Sequence, residues 1–295
     1  MGHASLSQAP GSQAPGSETP GAFLDRLDRI SRRCLSACGA GHMVWRSWGA
    51  GPALVLLHGG SGSWRHWARN IDYFVRARRV IAPDLPGLGE SDLPPEPDNP
   101  RAMARILAHG LAGLIGSSEQ YDLVGFSFGG VMAGCLAAVQ DTRLRSLTIV
   151  GSGGLGLARG PTALVKVRHL TGDERVAAHR TNLARLMIAD PAKIDDLALT
   201  IQDRNTIQSR LKSPQISRGT WLAEALPAVR CPVAGIWGSL DAPSLPDIGA
   251  RERARRALRP ELRFRVIDGA GHWVAYEAAA SFNAALADLL TEDVG

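Results

Sequence analysis

The chain has 295 residues, of which 45 % are hydrophobic and 21 % charged, and its formal net charge is +5. This composition allows a sizeable core in one or two domains. No apolar run is long enough to span a bilayer and no N-terminal signal peptide is present, which predicts a cytoplasmic protein without a membrane partner. The four cysteines have neither metal-ligand nor disulfide spacing, so a reducing compartment is expected.

The chain begins with a tail rich in Ser, Gln, Ala, Pro and Gly over residues 1–21, which is predicted to be disordered. Helical and strand patterns then alternate, and this predicts a mostly parallel sheet covered by helices on both faces. Residues 152–226 are helical in character and too long for a simple connection. The other predicted elements are a helix at 22–30, strands at 33–38, 43–48 and 53–57, a helix at 64–74, a strand at 79–82, a helix at 101–115, and strands at 121–124, 144–150, 233–237 and 262–267.

The positive charge is most concentrated in five arginines that follow the 233–237 strand. On a helix these side chains would spread around much of the surface, with an acidic residue among them and no aromatic residue interleaved. The pattern predicts a solvated outer helix and no nucleic-acid partner. The arginines are Arg251, Arg253, Arg255, Arg256 and Arg259.

A Gly-Phe-Ser-Phe-Gly pentapeptide at 125–129 lies between the apolar strand 121–124 and an apolar, helix-like stretch at 130–138. This is the strand, sharp turn and helix order of a nucleophile elbow. A serine on such a turn projects its hydroxyl above the sheet edge, and flanking glycines let the strand and helix backbones pass closely. Ser127 is therefore a candidate nucleophile.

Candidate partners for this serine follow in the order acid, then histidine. Asp241 lies in the loop after the 233–237 strand, and Asp247, six positions later, is the competing acid. The position just past the strand favours Asp241, because Asp247 follows a proline and is typical of a first helical turn. His272 ends an Asp-Gly-Ala-Gly-His turn directly after the last strand. Upstream, a buried strand ends in His-Gly-Gly at 58–60, a turn that can supply a backbone N–H to an oxyanion.

Together these motifs resemble the α/β-hydrolase superfamily from about Ser31 to Leu290. The resemblance implies an α/β fold with a mostly parallel twisted sheet, helices on both faces and a helical cap inserted after the sixth strand. The cap would be residues 152–226 and the core residues 22–151 and 227–295. His58 and Asp84 are expected to be structural, His58 behind the oxyanion loop and Asp84 in a Pro/Gly turn.

The chemistry of these residues predicts a serine hydrolase. His272 would accept the Ser127 proton while Asp241 fixes the imidazole tautomer. The backbone N–H groups of Gly60 and Phe128 would form the oxyanion hole. Water is then the second substrate, and neither a metal nor an organic cofactor is required.

A narrower resemblance concerns the bond that is cleaved. The stretch His-Trp-Val-Ala-Tyr-Glu at 272–277 is similar to the C-terminal pattern of meta-cleavage product hydrolases, which split carbon–carbon bonds in vinylogous 1,5-diketones. This resemblance implies that Trp273 lines the substrate pocket and that a cap arginine binds the substrate's carboxylate. Arg204 is the candidate, with Arg210 as the alternative; core packing and a solvated helix charge are the competing interpretations of Trp273 and Arg204.

Two departures from that group leave the substrate open. Phe126 and Phe128 flank the serine, which suggests an apolar pocket, and His66 stands about where the group has an asparagine near the oxyanion hole. The sequence therefore predicts hydrolysis of a small, largely apolar substrate, either a carboxylester or lactone or a carbon–carbon bond. A hydrolase-fold receptor with slow turnover is the alternative. A homo-oligomer is compatible with the sequence.

Overall fold

The computed structural model of the protein describes residues 18–139 and 142–292. Residues 1–17 of the tail predicted at 1–21 lie outside the described residues. The predicted disorder is wrong for residues 20 and 21, because helix α1 already begins at Pro20. The Thr19 side chain accepts a hydrogen bond from the N–H of Ala22.

Eight strands of the described chain form one sheet, in the order β1-β2-β4-β3-β5-β6-β7-β8. β2 runs antiparallel to β1 and β4, and all the other neighbouring strands are parallel. The mostly parallel sheet expected from the sequence is thereby confirmed. The strands are β1 Arg32–Cys38, β2 Gly41–Trp48, β3 Ala53–Leu57, β4 Arg79–Pro83, β5 Tyr121–Phe126, β6 Leu144–Val150, β7 Val233–Gly238 and β8 Arg263–Ile267.

Helices cover both faces of this sheet. Alternate residues of β3 point to opposite faces: Val55 belongs to one apolar cluster and Leu54 to the other. Both clusters contain buried helix residues, so β3 is apolar along its whole length. Besides α1 Pro20–Arg29, the helices are α2 Ala68–Phe74, α3 Pro100–Leu114, α4 Phe128–Ala137, α5 Gly172–Asn182, α6 Asp196–Gln208, α7 Pro214–Arg218, α8 Trp221–Ala225, α9 Ile248–Leu258, α10 Val274–Glu277 and α11 Ala279–Glu292.

The chain between β6 and β7, residues 151–232, is here called the β6–β7 segment. It contains α5, α6, α7 and α8, a π-helical turn at Leu183–Met187 and no strand. Its residues 159–218 face the ends of β3 and β5 across a cavity. The segment also contacts α1, because Arg204 of α6 forms an ion pair with Asp25 at 2.7 Å.

Two sequence-based expectations change in detail. The helix predicted at 64–74 begins as a 3-10 turn, Trp64–Trp67, before α2. Helix α9 is not exposed to solvent on all sides, because Arg251 and Arg255 are buried against the loops that follow β6 and β7. Arg255 lies 4.2 Å from the ring centre of Trp237, and burial lowers its pKa to about 9. Among the helices of the described chain, none combines the length and hydropathy needed to cross a membrane.

Candidate active site

Ser127 lies on a sharp turn between β5 and α4, with φ at 52°. Few residues other than glycine adopt such a conformation, and it costs about 1–3 kcal/mol. Close packing enforces the turn. A Cβ atom on Gly125 would lie 2.3 Å from the carbonyl oxygen of Gly129, and one on Gly129 would lie 2.4 Å from the carbonyl oxygens of Leu57 and His58. The glycines of the pentapeptide thus allow α4 to press against β3 and β5.

Ser127, His272 and Asp241 lie within hydrogen-bond distance in series. Ser127 Oγ is 3.0 Å from His272 Nε2, and His272 Nδ1 is 2.9 Å from Asp241 Oδ2. The His272 and Asp241 side chains are 3 % and 0 % exposed, whereas Ser127 is partly accessible from the cavity. The other oxygen of Asp241 accepts the N–H of Ser244, which fixes the carboxylate. The three residues predicted from the sequence are therefore brought together.

The competing acid, Asp247, lies elsewhere. Its carboxylate caps the N-terminus of α9 through the N–H of Ala250, and its other oxygen pairs with Arg253. The Asp247 side chain is 55 % exposed. It does not reach His272.

Two backbone N–H groups are available beside the serine. Gly60 and Phe128 line the same cavity as Ser127, and the N–H of neither donates to another residue in the described chain. Gly60 is closely covered: a Cβ there would lie 2.1 Å from Ser213 Oγ. The next residue, Ser61, has a positive φ of 48°. These are the N–H groups that the sequence nominated for an oxyanion hole.

His58 supports this loop from behind. Its Nδ1 donates to the carbonyl of Gly59 at 2.7 Å, and its Nε2 accepts the N–H of Leu85 at 2.9 Å. Burial lowers the pKa of this imidazole, so it stays neutral. Asp84 is also buried and accepts the N–H groups of Trp64 and Glu90. Both residues have the local structural contacts expected of them.

The cavity over Ser127 has a volume of about 580 Å³, and its lining includes several basic residues. No carboxylate side chain belongs to its lining in the described chain. Phe126 and Phe128 line it, as the expectation of an apolar pocket requires, and five basic residues of the β6–β7 segment add positive charge. These are Arg159, Lys166, Arg168, His169 and Arg218.

Arg159 is one of the basic lining residues that sequence reasoning missed. It is half-buried and has no hydrogen-bond or ion-pair partner among the residues that the structure describes. Burial lowers the pKa of its guanidinium, while the Asp241 charge opposes that shift. The only sequence signal was its position, three residues after the glycine-rich exit from β6 at 151–156.

Neither of the cap arginines suggested by the family resemblance lines the cavity. Arg204 is on the side of α6 that faces α1, where Asp25 neutralises it, while Gln202 and Thr206 of the same helix face the cavity. The alternative, Arg210, donates to the carbonyl of Ser91 instead. Helix phase is the physical reason for the correction at Arg204, whereas Arg210 lies in the loop after α6 and turns toward Ser91.

The expectation that Trp273 lines the pocket is likewise wrong. The indole is completely buried and stacks on Tyr276 with ring centres 4.2 Å apart. Its Nε1 donates to the carbonyl of His66 at 2.9 Å. Trp273 therefore lies one layer behind the lining, whereas His66 itself reaches the cavity.

The loop that carries His272 is joined to the β6–β7 segment. The carboxylate of Glu277 accepts the N–H of Gly271 at 2.7 Å and the N–H groups of Ala189 and Asp190 at 3.0 and 2.8 Å. The N–H of Trp273 donates to the carbonyl of Met187, at the end of the π-helical turn. No group of three potential metal ligands occurs in the described ranges.

Comparison with known proteins agrees with this geometry. A family model described as alpha/beta hydrolase family matches residues 54–285. The chain belongs to the alpha/beta hydrolase family. It is thus a hydrolase by family, and the resemblance seen in its motifs is confirmed.

Within the family, the chain is similar to hydrolases of meta-cleavage products. It is 30 % identical over 264 residues to a 2-hydroxy-6-oxo-6-phenylhexa-2,4-dienoate hydrolase from Comamonas testosteroni, an alignment covering 83 % of this chain and 89 % of that protein. It is also 30 % identical over 259 residues to a 2-hydroxy-6-oxononadienedioate/2-hydroxy-6-oxononatrienedioate hydrolase from Paraburkholderia phymatum, with 82 % and 88 % covered.

Solved structures show the same fold. The meta-cleavage product hydrolase CumD superposes with a TM-score of 0.70 at 22 % identity, over 89 % of this chain and 98 % of that one. The N-acyl homoserine lactonase AidH gives a TM-score of 0.68 at 21 % identity, with the same coverage. At these identities the likeness concerns the fold alone.

Proposed function

We propose that the protein is a serine hydrolase with Ser127 as nucleophile, His272 as general base and Asp241 as the acid that orients it. The observation that carries the proposal is the series of two hydrogen bonds from Ser127 Oγ through His272 to Asp241, on a positive-φ turn. An unassisted serine hydroxyl is a poor nucleophile, so the imidazole must take its proton. Asp241 holds Nδ1–H, which leaves Nε2 free to accept.

The N–H groups of Gly60 and Phe128 then bind the oxyanion that forms when Ser127 attacks a carbonyl carbon. Collapse of this tetrahedral intermediate leaves an acyl group on Ser127, and the leaving group takes the proton from His272. Water, deprotonated by His272, hydrolyses the acyl-enzyme. Residues 152–226 act as a cap that closes the substrate cavity, and residues 22–151 and 227–295 form the core.

For the substrate, we propose a carboxylate-bearing vinylogous 1,5-diketone that is cleaved at a carbon–carbon bond. The cationic lining without a carboxylate in the described chain favours an anionic ligand. The names of the two relatives support this substrate class, because both describe hydrolases of 2-hydroxy-6-oxo dienoates or dienedioates. A conjugated enolate can leave with the bonding electron pair. Carboxylesters and lactones share the acyl-serine route and are the second candidate class.

The test combines labelling with a substrate screen. We expect stoichiometric labelling of Ser127 by a fluorophosphonate, and a loss of several orders of magnitude in turnover in Ser127→Ala with an unchanged circular dichroism spectrum. Labelling at another residue, or activity in the alanine variant, would refute the nucleophile. The screen compares a ring-fission dienoate with p-nitrophenyl esters. Slow turnover of all of them with tight product retention would indicate a ligand-binding receptor.

A further inference from the structure

His66 presents an imidazole to the cavity in addition to the one that contacts Ser127. It lies in the 3-10 turn Trp64–Trp67 and is almost completely buried, yet it belongs to the cavity lining. Its ring centre is 5.6 Å from that of Phe126 and 5.0 Å from that of Trp273. Two aromatic neighbours thus fix the plane of the ring.

The backbone determines which nitrogen of His66 carries the proton. The N–H of Gly59 donates to Nδ1 at 3.2 Å, so Nδ1 must be the unprotonated acceptor. Burial holds the pKa of His66 well below its usual value, and the neighbouring imidazoles of His58 and His272 lower it further. A neutral imidazole with an accepting Nδ1 carries its hydrogen on Nε2. Nε2–H is therefore a hydrogen-bond donor without a net charge.

This donor has no partner among the residues that the structure describes. In the described part of the chain Nε2 of His66 forms no hydrogen bond, and it is not among the polar atoms enclosed without a partner, so it opens to the cavity. The ring cannot swing away easily. Gly62 lies flat against it: a Cβ there would fall 2.4 Å from Cε1 and 2.6 Å from Nδ1 of His66.

We propose that the Nε2–H of His66 binds a second oxygen of the substrate, distinct from the carbonyl oxygen that Ser127 activates. This inference rests on the proposed function. A carbonyl oxygen has two lone pairs, and the N–H groups of Gly60 and Phe128 supply a donor for each. The donor on His66 is thus left for another acceptor. The substrate class is a dicarbonyl compound or its enol, rather than a simple alkyl ester.

Equilibrium binding tests the proposed hydrogen bond from His66 without any need for turnover. Two probes differ in one oxygen: 2,6-dioxo-6-phenylhexanoate and 6-oxo-6-phenylhexanoate. In a Ser127→Ala background, we expect the dioxo probe to bind more tightly. Adding His66→Phe, which keeps an aromatic ring without the donor, should weaken the dioxo probe by about tenfold and the mono-oxo probe by less than about twofold.

His66→Gln is the rescue variant, because its amide nitrogen reaches about as far as Nε2 and restores a donor. It should recover most of the lost affinity for the dioxo probe. Equal losses for both probes in His66→Phe would overturn the proposal and leave His66 as a support for Gly59.

Nitrogen NMR of the histidines gives an independent reading. We expect an unprotonated Nδ1 and a protonated Nε2 in His66, with the Nε2 resonance shifting only on binding the dioxo probe. A protonated Nδ1 would also overturn the proposal. Because neither measurement uses turnover, a failure of the proposed hydrolysis would appear separately, as an inactive wild-type protein in the substrate screen.

Discussion

At the scale of single residues, Asp241 and Asp247 show how little separates two candidate acids. Each carboxylate accepts a backbone N–H three residues later, Ser244 in one case and Ala250 in the other. They differ in burial and in the partner of the second oxygen, which is His272 for Asp241 and Arg253 for Asp247. Local sequence determines the first kind of contact, whereas the second depends on strands β7 and β8 being neighbours.

We expect Asp241→Asn to lower kcat by about 10⁴, because an amide nitrogen facing Nδ1 favours the wrong imidazole tautomer. Asp247→Asn is the matched control and should change kcat less than about twofold, since its side chain is mostly in water. Steady-state kinetics of the two variants with one good substrate decide the matter. A large loss in the Asp247 variant alone would reverse the assignment.

Arg159 and Arg204 form another matched pair, one facing the cavity and one paired with Asp25. Arg159→Gln should lower kcat/KM at least about tenfold for a carboxylate-bearing substrate, because a hydrogen bond to a charged group contributes about 1.5–3 kcal/mol. For a neutral ester of similar size the loss should be small. Arg204→Gln should affect neither substrate.

Comparison of kcat/KM for both substrates separates charge recognition from general damage to the β6–β7 segment. If Arg159→Gln impaired the two substrates equally, Arg159 would be a structural residue. If Arg204→Gln selectively impaired the anionic one, the sequence resemblance would have been the better guide. Sequence could not show that Arg204 faces away from the cavity, because it gives the period of α6 but not the direction of its cavity-facing side.

At the scale of elements, the loop of His272 and the β6–β7 segment depend on one buried carboxylate. Glu277 accepts three N–H groups, from Gly271, Ala189 and Asp190, and forms no ion pair within the described part of the chain. Gly271 directly precedes His272. The contact therefore joins the β6–β7 segment to the loop that positions His272.

Glu277→Gln replaces one accepting oxygen by an amide that can only donate, so one or more of these N–H groups loses its partner. We expect the free energy of unfolding to fall by about 2–3 kcal/mol, together with a lower kcat as the His272 loop loosens. Urea unfolding and kinetics on the same preparation measure both. The matched control, Glu261→Gln, removes an exposed ion pair with Arg259 and should cost less than about 0.5 kcal/mol. Normal stability in Glu277→Gln would show that water replaces the contact.

Most elements of the sheet and its helices were predictable because their patterns are local. The strand before Ser127, the turn and the helix after it follow from apolar runs and paired glycines. The buried face of α9 was not predictable, because Arg251 and Arg255 donate to carbonyls of distant loops, those of Ala158 and Ser152 among them. Charge patterns indicate solvent exposure only where no such acceptors meet the helix.

At the scale of the whole molecule, the motifs predicted the architecture and the three residues around Ser127, since chain order and the ends of parallel strands bring them to one edge of the sheet. The cavity was less predictable, because its lining depends on how the β6–β7 segment lies over that edge. Helix α1 contributes to this placement. It contacts β2 through Leu27, whose carbonyl accepts Trp48 Nε1, and α6 through Asp25.

The positive φ of Ser127 has a consequence for the evolution of the whole chain. Glycine adopts this conformation without strain, so a glycine at position 127 would relieve part of the cost borne by the folded state. Variants selected only for resistance to heat would therefore be drawn to glycine, which also removes the hydroxyl. Stability and reactivity are opposed at a single backbone angle, and any gain in robustness that keeps the chemistry has to come from elsewhere in the fold.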